Sequence, residues 1–270
     1  MTITPDAPIG VFDSGVGGLS ILQALRVELP SEPFVYLADS GHAPYGERDA
    51  AHVVERSAAM ARHLLDRHQI KALVIACNTA TAAAILLLRQ QYPELPIIGV
   101  EPALKPAAAC SLTRRIGVLA TRGTLASAKF AGLLESLQVQ AEFVCKPCDG
   151  LADAIERDDI AKIESLCADY TQSMGDFGGS VGQMDTLVLG CTHYPFAKTR
   201  LRALLGAQVQ LIDSGQPVAR QTRRVLQARS LLASNGAQEI KFYTTGQTDI
   251  LRLAVRRWLR SDSRIDKVGT

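Results

Sequence analysis

The sequence predicts an α/β fold made of two pseudo-symmetric halves, each a mostly parallel sheet flanked by helices. Three observations carry that expectation. Short β-rich runs alternate with segments of helical period, the pattern of βαβ units with right-handed crossovers. The runs are near-continuous Val, Ile and Leu, as strands covered on both faces are. The chain also repeats itself. PIGVFDSGVGG (8–18) and RIGVLATRGT (115–124) each open a strand–loop–helix unit. Roughly 65 and 70 residues later, LVIACNTAT (73–81) and LVLGCTHYP (187–195) each end a strand in Cys.

Taken in order, IGVF (9–12), FVYLAD (34–39), ALVIAC (72–77) and PIIGV (96–100) read as buried strands of the first half. Between them DAAHVVERSAAMARHLLDRH (49–68) reads as a helix with Val54, Ala58, Ala61 and Leu65 on its buried face. RIGVLAT (115–121), AEFVC (141–145), TLVLGC (186–191) and VQLID (209–213) are the strands of the second half. SMGDFGGSVGQM (173–184) is Gly-rich without periodicity and reads as a flexible surface loop. LIDSG (211–215) echoes FDSG (12–15), so the chain is expected to return there to the first half. The strand IKFYTT (240–245) and the helix DILRLAVRRWLR (249–260) would complete it. The expected units are 1–101 plus 212–270, and 102–211.

Composition narrows the function classes. In 270 residues, 47% apolar and 21% charged describe an ordinary globular chain. A net charge of +2 with 5% aromatics gives no push toward nucleic acid or a base-stacking surface. The basic RLAVRRWLRSDSR (252–264) reads as an amphipathic surface helix. MTITPDAP (1–8) has no secretion pattern, and TATAAAILLL (79–88) is too short to span a bilayer. The expected location is the cytoplasm, without membrane or direct nucleic-acid contact, and six cysteines there are expected to be reduced.

The chemistry should sit beyond the carboxyl ends of the strands, where open α/β sheets bind ligands. Cys77 and Cys191 both fall there. Asn78-Thr79 follows the first and Thr192-His193 with Pro195 the second, all residues that favour helix starts. A helix N-terminus stabilises anions, so each thiol is expected to be acidified. One Cys closing a strand is most simply a small buried hydrophobe. Two at equivalent repeat positions suggest a pair addressing one carbon from opposite faces, one taking a proton and the other returning one. Zinc is the rival for Cys191-x-His193, but no second ligand pair has a recognised spacing. Cys145-Lys-Pro-Cys148 is a single CxxC outside the usual strand–helix redox context. Asp13 in Asp13-Ser14-Gly15 could hold an ammonium or assist a base, or only cap a turn. GVGGL (15–19) does not fit a nucleotide loop. In HAPYGE (42–47) the backbone N–H groups of Tyr45 and Gly46 could receive an anion.

With those residues in hand, the chain resembles the bacterial glutamate racemases of the aspartate/glutamate racemase superfamily. The matching segments are FDSGVGGLS (12–20), ADSGHAPYGE (38–47), VIACNTATA (74–82), IIGVEPALKPA (97–107), IGVLATRGT (116–124), LVLGCTHYP (187–195) and IDSG (212–215), over nearly the whole chain. The resemblance implies cofactor-independent interconversion of L- and D-glutamate, supplying D-glutamate for peptidoglycan, with the site in the cleft between the halves. It implies Cys77 as the base for the D-enantiomer, assisted by Asp13, and Cys191 as the base for the L-enantiomer, assisted by His193 with Glu156 nearby. Glu156 is carried over from its place eight residues after Cys148, where Asp149 departs from the family's usual Cys-Pro. Implied substrate contacts are Asp13, Ser14, Tyr45, Gly46, Asn78, Thr79, Thr121, Thr124, Thr192 and His193. No metal is implied. A homodimer is expected, and contact with DNA gyrase is conceivable because some members have it. Two other functions fit the same architecture, a racemase for aspartate and a non-catalytic two-lobed binder.

Overall fold

The computed structural model describes residues 4–234 and 238–269. The first half opens with β1 (Ile9–Asp13), α1 (Leu19–Glu28), β2 (Phe34–Ala38), α2 (Ala50–His68), β3 (Ala72–Ile75), α3 (Asn78–Gln91) and β4 (Ile97–Gly99). The second half contains α4 (Leu104–Cys110), β5 (Arg115–Ala120), α5 (Arg122–Leu125), α6 (Ala128–Glu135), β6 (Glu142–Pro147), α7 (Leu151–Glu156) and α8 (Ile160–Met174). It continues through β7 (Thr186–Leu189), α9 (Lys198–Leu205) and β8 (Gln210–Ile212). The chain then returns with α10 (Gly215–Ala228), β9 (Ile240–Thr244), α11 (Thr248–Ala254) and β10 (Ile265–Lys267).

All strand pairings are parallel, in two sheets of order β10-β9-β2-β1-β3-β4 and β6-β5-β7-β8. The expected repeat is therefore visible as topology: each half places its first strand between its second and third, with the fourth outside. Ile9 aligns with Phe34 and Ala72, and Ile116 with Phe143 and Thr186. The two Cys-bearing strand ends are thus third strands in both sheets, each beside a central strand. Ile212 pairs with Val188 in the second sheet, and the chain passes from it to α10 through Asp213–Ser214. The outward crossing is at Glu101–Pro102, and Ser214 Oγ donates to the Glu101 carbonyl at 2.6 Å. Both crossings therefore lie side by side.

One apolar core runs through both halves, from Ile9, Val11, Leu22 and Tyr36 to Leu119, Leu151, Leu187 and Tyr194. Smaller cores lie beneath α2 and α3 in the first half and beneath α4 and α6 in the second. Helix α2 begins at Asp49, whose side chain accepts from His52 N–H at 2.7 Å, and ends at Gln69 with φ +49°. Its buried face is Val53, Arg56, Ser57, Met60, Ala61, Leu64 and Leu65, while Val54 and Ala58 are only half-buried. The expected face is rotated because apolar spacing alone overlooks two polar residues, Arg56 and Ser57, that find partners inside.

The segment 173–184 also differs from expectation. Phe177 bridges to Met184, which is fully buried, and Met184 N–H donates to Asp176 at 2.9 Å. Apolar anchors pin both ends, leaving Val181 exposed at the tip. Helix α11 runs into a π-type turn, Val255–Leu259, where Trp258 stacks on Phe196 with centroids 4.2 Å apart. Arg252, Arg256 and Arg257 there pair with Asp249, Asp262 and Asp158, so these charges are neutralised locally. All six cysteines are free thiols. Among the described residues no helix is long and apolar enough to cross a membrane.

Candidate active site

The carboxyl ends of the two sheets meet across a small cavity. On the first side, β1 ends at Asp13, which is completely buried. Its Oδ1 accepts from Gly15 N–H at 2.7 Å and Ser14 Oγ at 3.5 Å; its Oδ2 accepts from Thr192 Oγ1, across the cleft, at 3.0 Å. Burial raises its pKa to about 6, a rise that the charge of His193 and the Gly15 N–H partly offset.

Cys77 is itself the cap of α3, with Sγ accepting from Ala80 N–H at 3.5 Å and lying 3.8 Å from Ser14 Oγ. The helix start is therefore present as expected, but the thiol is not acidified in this closed state. Burial pushes it up to about 12, and the neighbouring Asp13 charge adds to that. One long N–H···S contact and a helix dipole worth about 1 kcal/mol do not offset the loss of water around a thiolate. At neutral pH Cys77 carries its proton.

Cys191 stands at the equivalent strand end in different surroundings. The helix start there is displaced: Tyr194 N–H donates to the Cys191 carbonyl at 3.1 Å, a 3₁₀ turn covers Tyr194–Ala197, and α9 follows. The thiol instead faces His193, with Sγ 3.7 Å from Nδ1. His193 Nε2 lies 2.9 Å from Glu156 Oε2 at the end of α7. Burial works against a charged imidazole, but Cys191 and Glu156 outweigh it and hold the His193 pKa well above its ordinary value. Glu156 is fixed in turn by the first half: Val16 N–H donates to Oε2 at 2.8 Å and Ser40 Oγ to Oε1 at 3.1 Å.

The glycines of GVGG explain how these groups come so close. A Cβ on Gly15 would overlap the Glu156 carboxylate, and one on Gly17 would overlap the His193 ring. The run, which does not fit a nucleotide loop, is instead the surface against which Glu156 and His193 of the second half pack. Hydroxyls complete the site. Thr79 Oγ1 lies 3.0 Å from Thr121 Oγ1 across the cleft, and Thr121 donates to Thr124 at 2.9 Å. Asn78 Nδ2 donates to the Val100 carbonyl at 3.3 Å. Tyr45 and Gly46 form a 3₁₀ turn, Tyr45–Glu47, whose Gly46 packs against Thr121.

The cavity holds about 30 Å³, room for about one water and too little for an amino acid. Ser14, Tyr45, Gly46, Cys77, Asn78, Thr79, Thr121, Glu156, Cys191, Thr192 and His193 line it. Of the residues expected from the sequence, Asp13 and Thr124 stand behind, touching Thr192 and Thr121 respectively. Ser40 and Asp153 are new. Ser40 lies within the matching ADSG segment, but only its contact with Glu156 reveals its use. Asp153 carries no sequence signal beyond its helix. Among the described residues no cluster of His, Cys, Asp and Glu is arranged to hold a metal.

A sequence profile describing the Asp/Glu/Hydantoin racemase family matches residues 19–222. The glutamate racemase of Ectopseudomonas mendocina is 49% identical over 249 residues, 92% of each chain. That of Pseudomonas aeruginosa is 48% identical over 245 residues, 88% of this chain and 89% of the relative. Among solved structures, a glutamate racemase isoform of Bacillus anthracis aligns with a TM-score of 0.85 at 32% identity, covering 97% of both chains. Glutamate racemase of Francisella tularensis in complex with D-glutamate aligns with a TM-score of 0.84 at 28% identity, covering 98% of both.

Proposed function

The chain belongs to the Asp/Glu/Hydantoin racemase family and is an amino-acid racemase; from that premise we propose that it interconverts L- and D-glutamate with Cys77 and Cys191 as opposed acid–base groups. One observation carries the reading: two thiols on equivalent strand ends line the same cavity. A carbon held between them can lose a proton on one face and gain one on the other.

From L-glutamate, Cys191 takes the α-proton, with the His193 imidazolium beside it. Cys77 carries a proton, with its pKa near 12, and delivers it to the opposite face. The charge that develops on the substrate carbon spreads into its carboxylate, and hydroxyl and backbone donors around the cavity stabilise it. The reverse direction needs Cys77 as thiolate. The Ser14 hydroxyl and the Ala80 N–H, which face its sulfur, are the donors that stabilise that thiolate. Glutamate's carboxylates are met by the start of α3 at Asn78-Thr79 and by the Tyr45–Gly46 turn. Its ammonium faces Ser14 and Thr192, with Asp13 behind them. Admission requires the halves to part, since the closed cavity holds about 30 Å³; closing again excludes water from the carbanion. All steps use side chains of this chain. In this reading the chain works in the cytoplasm as a homodimer and its D-glutamate supplies peptidoglycan synthesis.

The decisive experiment incubates the protein with each glutamate enantiomer in D₂O under reducing conditions, and with aspartate beside it. Optical rotation and Cα deuterium should change together for glutamate. Tight binding without exchange, or exchange confined to aspartate, sinks the reading.

A further inference from the structure

We propose that Asp39 is a positioning residue for the substrate-facing turn at Tyr45–Gly46, acting through the Tyr45 hydroxyl and held in place by Arg56 and Thr245. This rests on the reading that the turn receives a substrate carboxylate.

Asp39 follows β2, and its N–H donates to the Asp13 carbonyl at 2.9 Å. Its fully buried carboxylate is a meeting point for side chains from three separate stretches of chain. Arg56 of α2 binds it through two nitrogens, Nε to Oδ2 and Nη2 to Oδ1, each at 2.9 Å. Thr245, just past β9, donates to Oδ1 at 2.7 Å. Tyr45 donates its hydroxyl to Oδ2 at 2.5 Å, and His42 Nδ1 lies 3.0 Å from Oδ1. Burial alone would push this carboxyl up. The donors from Arg56, Tyr45 and Thr245 outweigh that and hold it below the usual carboxylate range, so it stays ionised.

A buried bidentate ion pair already satisfies both charges. Two hydroxyls and an imidazole beyond it do something else: they fix the segment 39–47 in one place. Tyr45 lines the cavity, yet its hydroxyl is committed to Asp39. What it presents to a ligand is backbone. The required accuracy is high, because Gly46 packs so closely on Thr121 that a Cβ would overlap it. The same segment also sets the far side of the cleft. Ser40 donates to Glu156 at 3.1 Å, and Glu47 accepts from Gly150 N–H at 3.0 Å at the start of α7. Asp39 therefore governs a carboxylate-binding turn and two of the contacts that seat α7.

The test uses steady-state racemisation of both glutamate enantiomers by the full chain and by Tyr45→Phe, Thr245→Val, Asp39→Asn and the double variant Asp39→Asn/Tyr45→Phe, with thermal unfolding of each. Loss of a hydrogen bond to a charged group should raise KM by about tenfold in Tyr45→Phe and Asp39→Asn, with kcat changed much less, as for lost uniform binding. The double variant should raise KM no further than the larger single effect, because the path to the substrate is already cut. Thr245→Val should raise KM in the same direction by a smaller factor. Where Asp39→Asn fails to fold, Tyr45→Phe and Thr245→Val decide. Unchanged KM in both of these, or fully additive effects in the double variant, overturns the proposal alone. A wild-type chain that does not racemise glutamate overturns the earlier reading and this proposal together, and shows before any variant is compared.

Discussion

The two halves share a strand order but not a chemistry. Around Cys77 the neighbours are a hydroxyl, a helix start and a buried carboxyl; around Cys191 they are an imidazolium and the carboxylate behind it. The first environment keeps a proton on sulfur, while the second sets a charged imidazole beside its sulfur. A repeated fold therefore supplies geometric symmetry, two thiols on equivalent strand ends lining one cavity. The side chains break that symmetry, so that the two sulfurs meet different partners.

The sharpest way to break this comparison is to remove either sulfur. Cys77→Ser and Cys191→Ser should each lose racemisation by roughly a thousandfold, because a serine hydroxyl is too weak an acid to substitute. Full activity in either variant removes that residue from the mechanism. The next effects separate the sides. Mirror-image substrates have equal free energies, so kcat/KM must fall equally for both enantiomers in any variant. The asymmetry is read in kcat. Asp13→Asn should depress kcat for D-glutamate more than for L-glutamate, and Glu156→Gln the reverse, each by about tenfold. Interchanged preferences would reverse the assignment of the two bases.

Smaller effects concern stability. Gly17→Ala drives a methyl into the His193 ring and should cost about 1–3 kcal/mol in denaturant unfolding, with activity falling as well. A neutral result would mean that the halves close less tightly than described. Asp13 gives a pH signature. Its pKa rises from 3.8 to about 6 on folding, so the folded state prefers the protonated acid. The stability this provides is complete below the ordinary value and is lost as pH rises through about 6. Relative to wild type, Asp13→Asn should therefore gain about 2 kcal/mol between pH 4 and pH 7. A flat difference between the two proteins over that range would contradict the burial of an unneutralised carboxyl.

Much of this was legible in the chain itself. The strand runs, the repeat and the pair of Cys-terminated strands required only periodicity and position, and the family resemblance rests on motifs such as GCTHYP. Local propensity could not show what depends on the other half. The acidifying effect expected at Cys77 fails because desolvation is a tertiary property. The helix start expected at Cys191 is deferred to Lys198, since Tyr194–Ala197 tightens first into a 3₁₀ turn. The GVGG run carries no assigned role in the sequence and is a docking surface, which only the approach of His193 and Glu156 reveals. Arg56 was invisible as a core residue because its partner, Asp39, lies on another element.

The hydrogen bond from Ser214 to the Glu101 carbonyl holds together the two stretches by which the chain enters and leaves its second sheet. A segment whose ends adjoin tolerates new termini elsewhere, so a break at a surface loop such as 178–182 would leave both connections joined.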